Sequence, residues 1–302
     1  MTRSILITGA TGKQGGALIR TLLEADADFE LLAVTRDANS ESAKRLAKKS
    51  PKIKLVEGNL DNPAGIFENA SAVSSLPIWG VYSVQVPVPG GKDDKEEVQG
   101  KALVTAALEK NVEYFVYSSV DRGGDASFDN PTNIPHFISK HNIEHHLIDS
   151  TKGTDMKWSV FRPVAFMDNH TPNFFGKVFA TCWKMVLKGK PLQVIAVSDI
   201  GYFGAQAFLN PEKYQSKFTS LAGDELTFDE LAKVFQAKTG KPVPTTFQLL
   251  CSALLWMVKD MGYMFRWFYT DGYKADIAKL KREYPGLKNY ATWLDTDSAF
   301  TK

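Results

Sequence analysis

The stretch "SILITGATGKQGGALIRTLLEA", residues 4–25, decides how the rest of the chain is read. Its opening residues are an apolar run ending at Gly9, and the closing ones place Leu18, Leu22 and Leu23 on one side of a helix. Between strand and helix, Gly9, Gly12 and Gly15 are spaced as G-x-x-G-x-x-G. That is the context in which a glycine loop cradles a dinucleotide pyrophosphate. Gly9 permits the tight turn, Gly12 lets backbone approach the phosphates, and Gly15 lets the helix lie close to the strand. The helix start adds free N–H groups and the positive end of its dipole. Gly9, Thr11, Gly12, Lys13, Gln14 and Gly15 are therefore the first expected cofactor contacts. The plainer alternative is a turn that only joins strand to helix.

Outward from this unit the alternation continues. "FELLAVTR" (29–36), "IKLVEGNL" (53–60), "WGVYSVQVPV" (79–88), "VEYFVYSSV" (112–120) and "MKWSVFRPV" (156–164) read as strands. "SAKRLAKKS" (42–50) and "DDKEEVQGKALVTAALEKN" (93–111) read as helices. Strands separated by helices imply βαβ units, and strands apolar on both faces imply a sheet covered on both sides. The expected fold is α/β: a Rossmann-type doubly wound parallel sheet over residues 1–165, followed by a smaller C-terminal α+β lobe over 166–302. Some later segments are expected to rejoin the first domain. In the lobe, "PLQVIAV" (191–197) and "KFTSLAG" (217–223) read as isolated strands, and "PVPTTFQ" (242–248) as another. "LTFDELAKVFQAKTG" (226–240) reads as a helix, with Thr227 and Glu230 as a capping box and Gly240 as its stop.

Composition narrows the function classes. The chain has 302 residues, 44% of them hydrophobic, enough for a sizeable core. A formal net charge of +2 gives no sign of a nucleic-acid partner. Cys182 and Cys251 cannot build a disulfide framework, which points to a reducing compartment. The first strand is expected to begin at Ser4, and no signal peptide is expected before it. The most apolar run, "LLCSALLWMVKDMGYMFRWF" (249–268), is broken by Lys259, Asp260 and Arg266. The expectation is a soluble cytoplasmic protein without a membrane partner, its entry into the nucleus left open.

Arg36 ends the second strand, where a side chain meets the adenosine ribose. A carboxylate there bonds the 2′-hydroxyl of NAD and repels a 2′-phosphate, whereas a guanidinium grips the 2′-phosphate of NADP. Lys13, Lys44 and Arg45 lie near enough in sequence to reinforce the field, and the Asp37 side chain should point the other way. The expected cofactor is NADP(H). A solvated surface arginine is the alternative.

Taken together, "TGATGKQGG", Arg36, "VEGNLDN", "GVYSVQ", "FVYSSV", "FRPVAFMDN", "DIGYFGAQAFLNPEKY" and "YKADIAKLKREYPGL" resemble the NmrA-like proteins, atypical members of the short-chain dehydrogenase/reductase superfamily. The resemblance runs over nearly the whole chain. It implies an NADP(H)-binding Rossmann domain, with Asn59, Leu60 and Asp61 by the adenine. It also places Tyr82 to Gln85, Val84 and Gln85 among them, beside the phosphates and ribose. Typical members of the superfamily carry a serine at the end of the fifth strand and a Tyr-x-x-x-Lys on the next helix. Here Ser118 and Ser119 end that strand, and "HFISK" puts His136 at the tyrosine position and keeps Lys140. Residues i and i+4 share a helix face, so both can point at the nicotinamide ribose.

Histidine titrates near neutrality, but Lys140 on the same face opposes a second positive charge on His136. Proton delivery is therefore expected to be poorer than with tyrosine. The resemblance leaves two functions: a sensor of the NADPH/NADP⁺ ratio reporting to a protein partner, which the missing tyrosine favours, or a reductase of a small carbonyl or imine. Ser119, Phe166 and Asn169 are expected to line the substrate pocket, with Met167 beside them. His141 and His145 have a metal-ligand spacing without a third ligand, so a polar helix surface and no metal are expected. "SALLWMVKDMGYMFRWFY" (252–269) reads as a packed amphipathic helix, with a substrate lid or a partner surface as alternatives.

Overall fold

A computed structural model describes residues 3–85 and 95–301. The Gly9 loop joins β1 (Ser4–Ile7) to α1 (Lys13–Glu24), and β2 (Glu30–Thr35), α2 (Glu41–Ala47) and β3 (Ile53–Glu57) follow. Next come α3 (Pro63–Val73), β4 (Ile78–Ser83), α4 (Lys95–Glu109), β5 (Tyr114–Ser118), α5 (Pro135–Thr151) and β6 (Lys157–Pro163). The remainder holds β7 (Ala165–Phe166), α6 (Phe174–Leu187), β8 (Leu192–Ile195), α7 (Val197–Leu209), α8 (Pro211–Tyr214), β9 (Lys217–Leu221) and β10 (Asp224–Leu226). It closes with α9 (Phe228–Thr239), α10 (Gln248–Met257), α11 (Lys259–Thr270), α12 (Ile277–Glu283) and α13 (Tyr290–Thr296).

Seven strands form one sheet in the order β3-β2-β1-β4-β5-β6-β9, and every pairing is parallel. Strand order reverses between β1 and β4. That switch point opens a crevice beyond the carboxyl ends of the strands, the usual ligand site of such sheets. Alternation explains the layers: Ile5 and Ile7 pack with Leu18 and Phe203 on one face, while Leu6 packs with Val81, Leu103 and Phe115 on the other. Close packing of α1 on α7 depends on Gly201, where a Cβ would stand 2.5 Å from Cβ of Ala17.

Several segments differ from their sequence reading. "KFTSLAG" is not an isolated strand; it supplies β9, which pairs with β6 at the sheet edge. "PLQVIAV" supplies β8, which runs antiparallel to β10 and parallel to β7 in a small second sheet. "PVPTTFQ" forms no strand, because Pro242 and Pro244 remove ladder donors. Its backbone is tied to α6 instead, with Thr246 N–H donating to Thr181 Oγ1 at 2.9 Å. The crossover α3 had no expectation attached, though Asn62 caps it and Pro63 sits in its first turn. Helix α9 has the expected capping box of Thr227 and Glu230 and ends at Gly240 with φ +70°. In the fourth expected strand, Val86–Val88 lie outside the described residues. No helix among the described residues is long and apolar enough to cross a membrane.

Candidate functional site

The glycine loop is built so that backbone rather than side chains faces the crevice. Gly9 takes φ +59°, Gly12 N–H donates to Gly9 O at 2.9 Å, and a Cβ on Gly15 would stand 2.4 Å from that same oxygen. Gly12 caps α1 without a side-chain hydrogen bond. Thr8 pins the loop to β4 across the switch point: its Oγ1 accepts from Val84 N–H at 2.8 Å. Lys13 Nζ donates to the carbonyl of Asp168 at 2.8 Å. Thr11, Gly12 and Lys13 edge a groove of about 440 Å³ that also carries Arg20, Arg45 and Lys49.

At the end of β2, Arg36 is exposed and makes no hydrogen bond or ion pair among the described residues. The Asp37 carboxylate is turned into its own loop, where Oδ1 accepts from Asn39 N–H at 2.7 Å. After β3, Asn59 and Asp61 bond each other, with Leu60 half-buried between them. Asp61 also accepts from Gln99 at 2.6 Å and from Lys95 at 2.9 Å, which hold its carboxyl below the usual range.

Further along the crevice lies a chamber of about 230 Å³. Gln14, Gln85, Ser119, His136, Lys140 and Asn169 supply its polar wall; Phe166, Phe179, Met264 and Phe268 supply much of the apolar one. Gln14 Oε1 accepts from Ser118 Oγ at 2.6 Å. Gln85 Nε2 donates to Ser83 Oγ at 2.8 Å, while its buried Oε1 has no partner among the described residues. Met167 is buried in the core rather than in the chamber.

The two residues expected to do chemistry have unforeseen partners. Lys140 is buried and pairs with Glu96 of α4 at 2.8 Å, its Nζ lying 3.5 Å from the Ser118 carbonyl. His136 Nδ1 lies 2.8 Å from Oδ1 and 2.7 Å from Oδ2 of Asp260, at the start of α11. The same carboxylate accepts from the backbone N–H of His136 at 3.1 Å, so it also caps α5. Burial pushes the Asp260 carboxyl upward, but the hydrogen bond and charge of His136 outweigh this and hold it below the usual range. An ionised carboxylate only accepts, so Nδ1 carries a proton. Nε2 is then a bare acceptor in the neutral ring and a donor in the imidazolium.

Ser119 lines the chamber, yet its hydroxyl donates to Glu144. Glu144 is fully buried between Arg122 at 2.8 Å and Arg162 at 2.7 Å. Burial alone would raise its carboxyl; the two guanidiniums hold it down. His141 and His145 both turn Nε2 to the carbonyl of Phe128, at 3.0 and 2.9 Å. Among the described residues there is no group of three or more metal-ligating side chains. Sequence reasoning missed Asp260 and Glu96. Asp260 had been read only as a charge interrupting an apolar run, and 124 positions separate it from His136.

A model of the NmrA-like family matches residues 1–291. The chain belongs to the NmrA-like family. Among its relatives, the NmrA-like family domain-containing oxidoreductase hkm9 of Aspergillus hancockii is 28% identical over 263 residues, covering 80% of this chain and 73% of that protein. An NAD(P)H azoreductase of Xenophilus azovorans is 27% identical over 242 residues, covering 79% and 75%. In fold, this NmrA-like chain is similar to the triphenylmethane reductase of Citrobacter sp., at a TM-score of 0.73 and 19% identity over 97% and 98% of the two chains. It is also similar to NmrA, a negative transcriptional regulator solved with NADP, at 0.69 and 16% over 99% and 96%.

Proposed function

We propose that this NmrA-like protein binds NADP(H) and reduces a small carbonyl or imine substrate in the chamber beside His136. The residues present fit the cofactor. The loop from Gly9 to Gly15, with Thr11, Lys13 and Gln14, offers backbone donors to a pyrophosphate. Arg36, unpaired among the described residues, meets the 2′-phosphate that distinguishes NADP from NAD. Asn59, Leu60 and Asp61 lie along the adenine. Val84 and Gln85 lie along the phosphates and ribose, where the unpartnered Gln85 Oε1 accepts a hydroxyl. Lys140 holds the nicotinamide ribose, with its charge balanced by Glu96.

When bound, NADPH supplies hydride. The chain supplies the rest. His136, as imidazolium, gives its Nε2 proton to the oxygen or nitrogen that gains charge as hydride arrives, and is left neutral with Nδ1–H still on Asp260. Hydride plus that proton completes a two-electron reduction. Phe166, Phe179, Met264 and Phe268 exclude water, and Asn169 faces the substrate from the chamber wall.

The His136–Asp260 pair carries this reading over the sensor. The sensor rested on the missing tyrosine and on repulsion between Lys140 and a protonated His136. Glu96 answers the repulsion, and Asp260 gives His136 the backing of a proton donor. Names among the relatives, several of them oxidoreductases and one an azoreductase, point the same way. The test titrates NADPH and NADH, then follows NADPH consumption across a panel of carbonyl, imine and quinone acceptors. Turnover is expected. Tight binding without turnover on any acceptor, together with cofactor-dependent capture of a protein, would return the function to sensing.

A further inference from the structure

We propose that the outer face of α10, with the flanking surface of α6 and α11, docks peripherally on an anionic lipid surface. Helix α10 is anomalous for a surface helix. The helix contains no charged residue, yet only Cys251 in it is fully buried. Its outward stripe is Leu249, Leu250, Ala253, Trp256 and Met257, with Leu249 87% and Trp256 82% exposed. Phe247, just before it, is 80% exposed, and Phe175 on α6 is 79% exposed. Isolated surface apolar residues need no explanation, but a continuous stripe of this size marks a contact surface.

Charge names the occupant. Helix α10 packs on both α6 and α11. Residues 174–190 and 247–270 together hold six cations (Lys177, Lys184, Lys188, Lys190, Lys259 and Arg266) and one carboxylate, in a chain whose net charge is +2. The carboxylate is Asp260, which is turned to His136. Lys259 and Arg266 share a hollow with Trp256 and Tyr263, and Lys177 shares another with Phe174 and Phe247. Neither hollow is lined by a carboxylate. A second copy would bring like charges face to face, which opposes self-association. Apolar residues rimmed by cations, with aromatic rings among them, match the headgroup boundary of an anionic bilayer. The sequence alone led to an expectation of no membrane partner; peripheral docking departs from it, and it needs no span, which none of the described helices is long and apolar enough to make.

The place of this face in the molecule adds a consequence, which rests on the reductase reading above. Helix α11 supplies Met264 and Phe268 to the chamber and Asp260 to His136. A docked α10–α11 hairpin sets the apolar side of the chamber against the bilayer, so the substrate class it suits is an apolar carbonyl or imine dissolved in lipid.

The experiment sediments the full chain with vesicles of phosphatidylcholine alone and of phosphatidylcholine mixed equally with phosphatidylserine. It needs no turnover, so its outcome is independent of the reaction. Wild type should pellet with the mixed vesicles, and added salt should weaken this. Leu249→Glu with Trp256→Glu should lower partitioning by about tenfold or more, and so should Lys259→Glu with Arg266→Glu. Both changes are on exposed positions, and circular dichroism checks that the fold persists. Wild type remaining in the supernatant, or either double variant binding like wild type, overturns the proposal. So does a dimer in sedimentation velocity that Trp256→Glu dissolves, which would assign the face to a second copy.

Discussion

Replacing Asp260 with asparagine isolates the role of the carboxylate. Asparagine has the same shape, so its Oδ1 can still accept from the His136 backbone N–H, now 3.1 Å away, and the start of α5 stays capped. Its amide nitrogen then takes the place of Oδ2 and turns a donor toward Nδ1, where a carboxylate oxygen now lies at 2.7 Å. Nδ1–H keeps Oδ1 as an acceptor but faces a donor where the second oxygen stood, and an imidazolium loses its charged partner. Losing a charge-assisted hydrogen bond costs about 1.5–3 kcal/mol, which is roughly a 10- to 150-fold fall in kcat. NADPH affinity should hardly move, because the carboxylate faces His136 and not the glycine loop. The assay is NADPH oxidation with the best acceptor of the panel, run for His136→Ala, Asp260→Asn and the double variant. Two residues acting as one unit give a double variant no slower than the worse single one. Turnover of Asp260→Asn within about twofold of wild type, or losses that multiply in the double variant, would refute the reasoning.

Three further outcomes are expected. Arg36→Ala should weaken NADPH binding by about 10- to 150-fold and leave NADH nearly unchanged, as calorimetric titration of both cofactors would read. Gly12→Val puts a side chain where the pyrophosphate approaches, only 3.1 Å from Gly9 O at its Cβ, and should abolish binding of either dinucleotide in a protein whose circular dichroism still reports the fold. Asp199 is buried, which pushes its carboxyl up to about 7 from 3.8 and outweighs the backbone N–H of Lys288 that it accepts. The folded state therefore loses stability as pH rises above 3.8, and the loss is complete above about 7. Asp199→Asn should recover that loss, on the order of 4 kcal/mol at about pH 8 and fading toward pH 4, in denaturant melts at the two pH values.

Legibility followed the range of the interactions. The parallel sheet could be read because each strand is a local apolar run, and α9 because Thr227, Glu230 and Gly240 are local signals. The crevice proposed for the cofactor could be read from the Gly9 loop and Arg36, because both lie within a single βαβ unit. Strand β9 was misread as isolated because pairing with β6 is settled by a crossover of more than fifty residues, which no local pattern records. Asp260 and Glu96 were missed for the same reason: each is an ordinary surface charge until the fold sets it against His136 or Lys140. Ser119 lines the chamber, but nothing beside it in sequence revealed that Glu144 takes its hydroxyl.

That same Glu144 has a consequence for how the chamber can change. It sits near the middle of α5, clamped by Arg122 from the loop after β5 and by Arg162 from β6. Sliding or turning α5 by one residue would swing the carboxylate about 100° and strand two buried guanidiniums, a fault of several kcal/mol. The helix that carries His136 and Lys140 is thus indexed one turn beyond Lys140, by a carboxylate that does not itself line the chamber. The chamber wall is relieved of that duty. Phe268 is held in the core, whereas the partly buried Phe166, Phe179 and Met264 can be exchanged for other shapes while the helix keeps its angle. A collection of variants at those positions should therefore change which acceptors are used far more readily than it unseats the fold, and it offers a direct route to new substrate preferences on this scaffold.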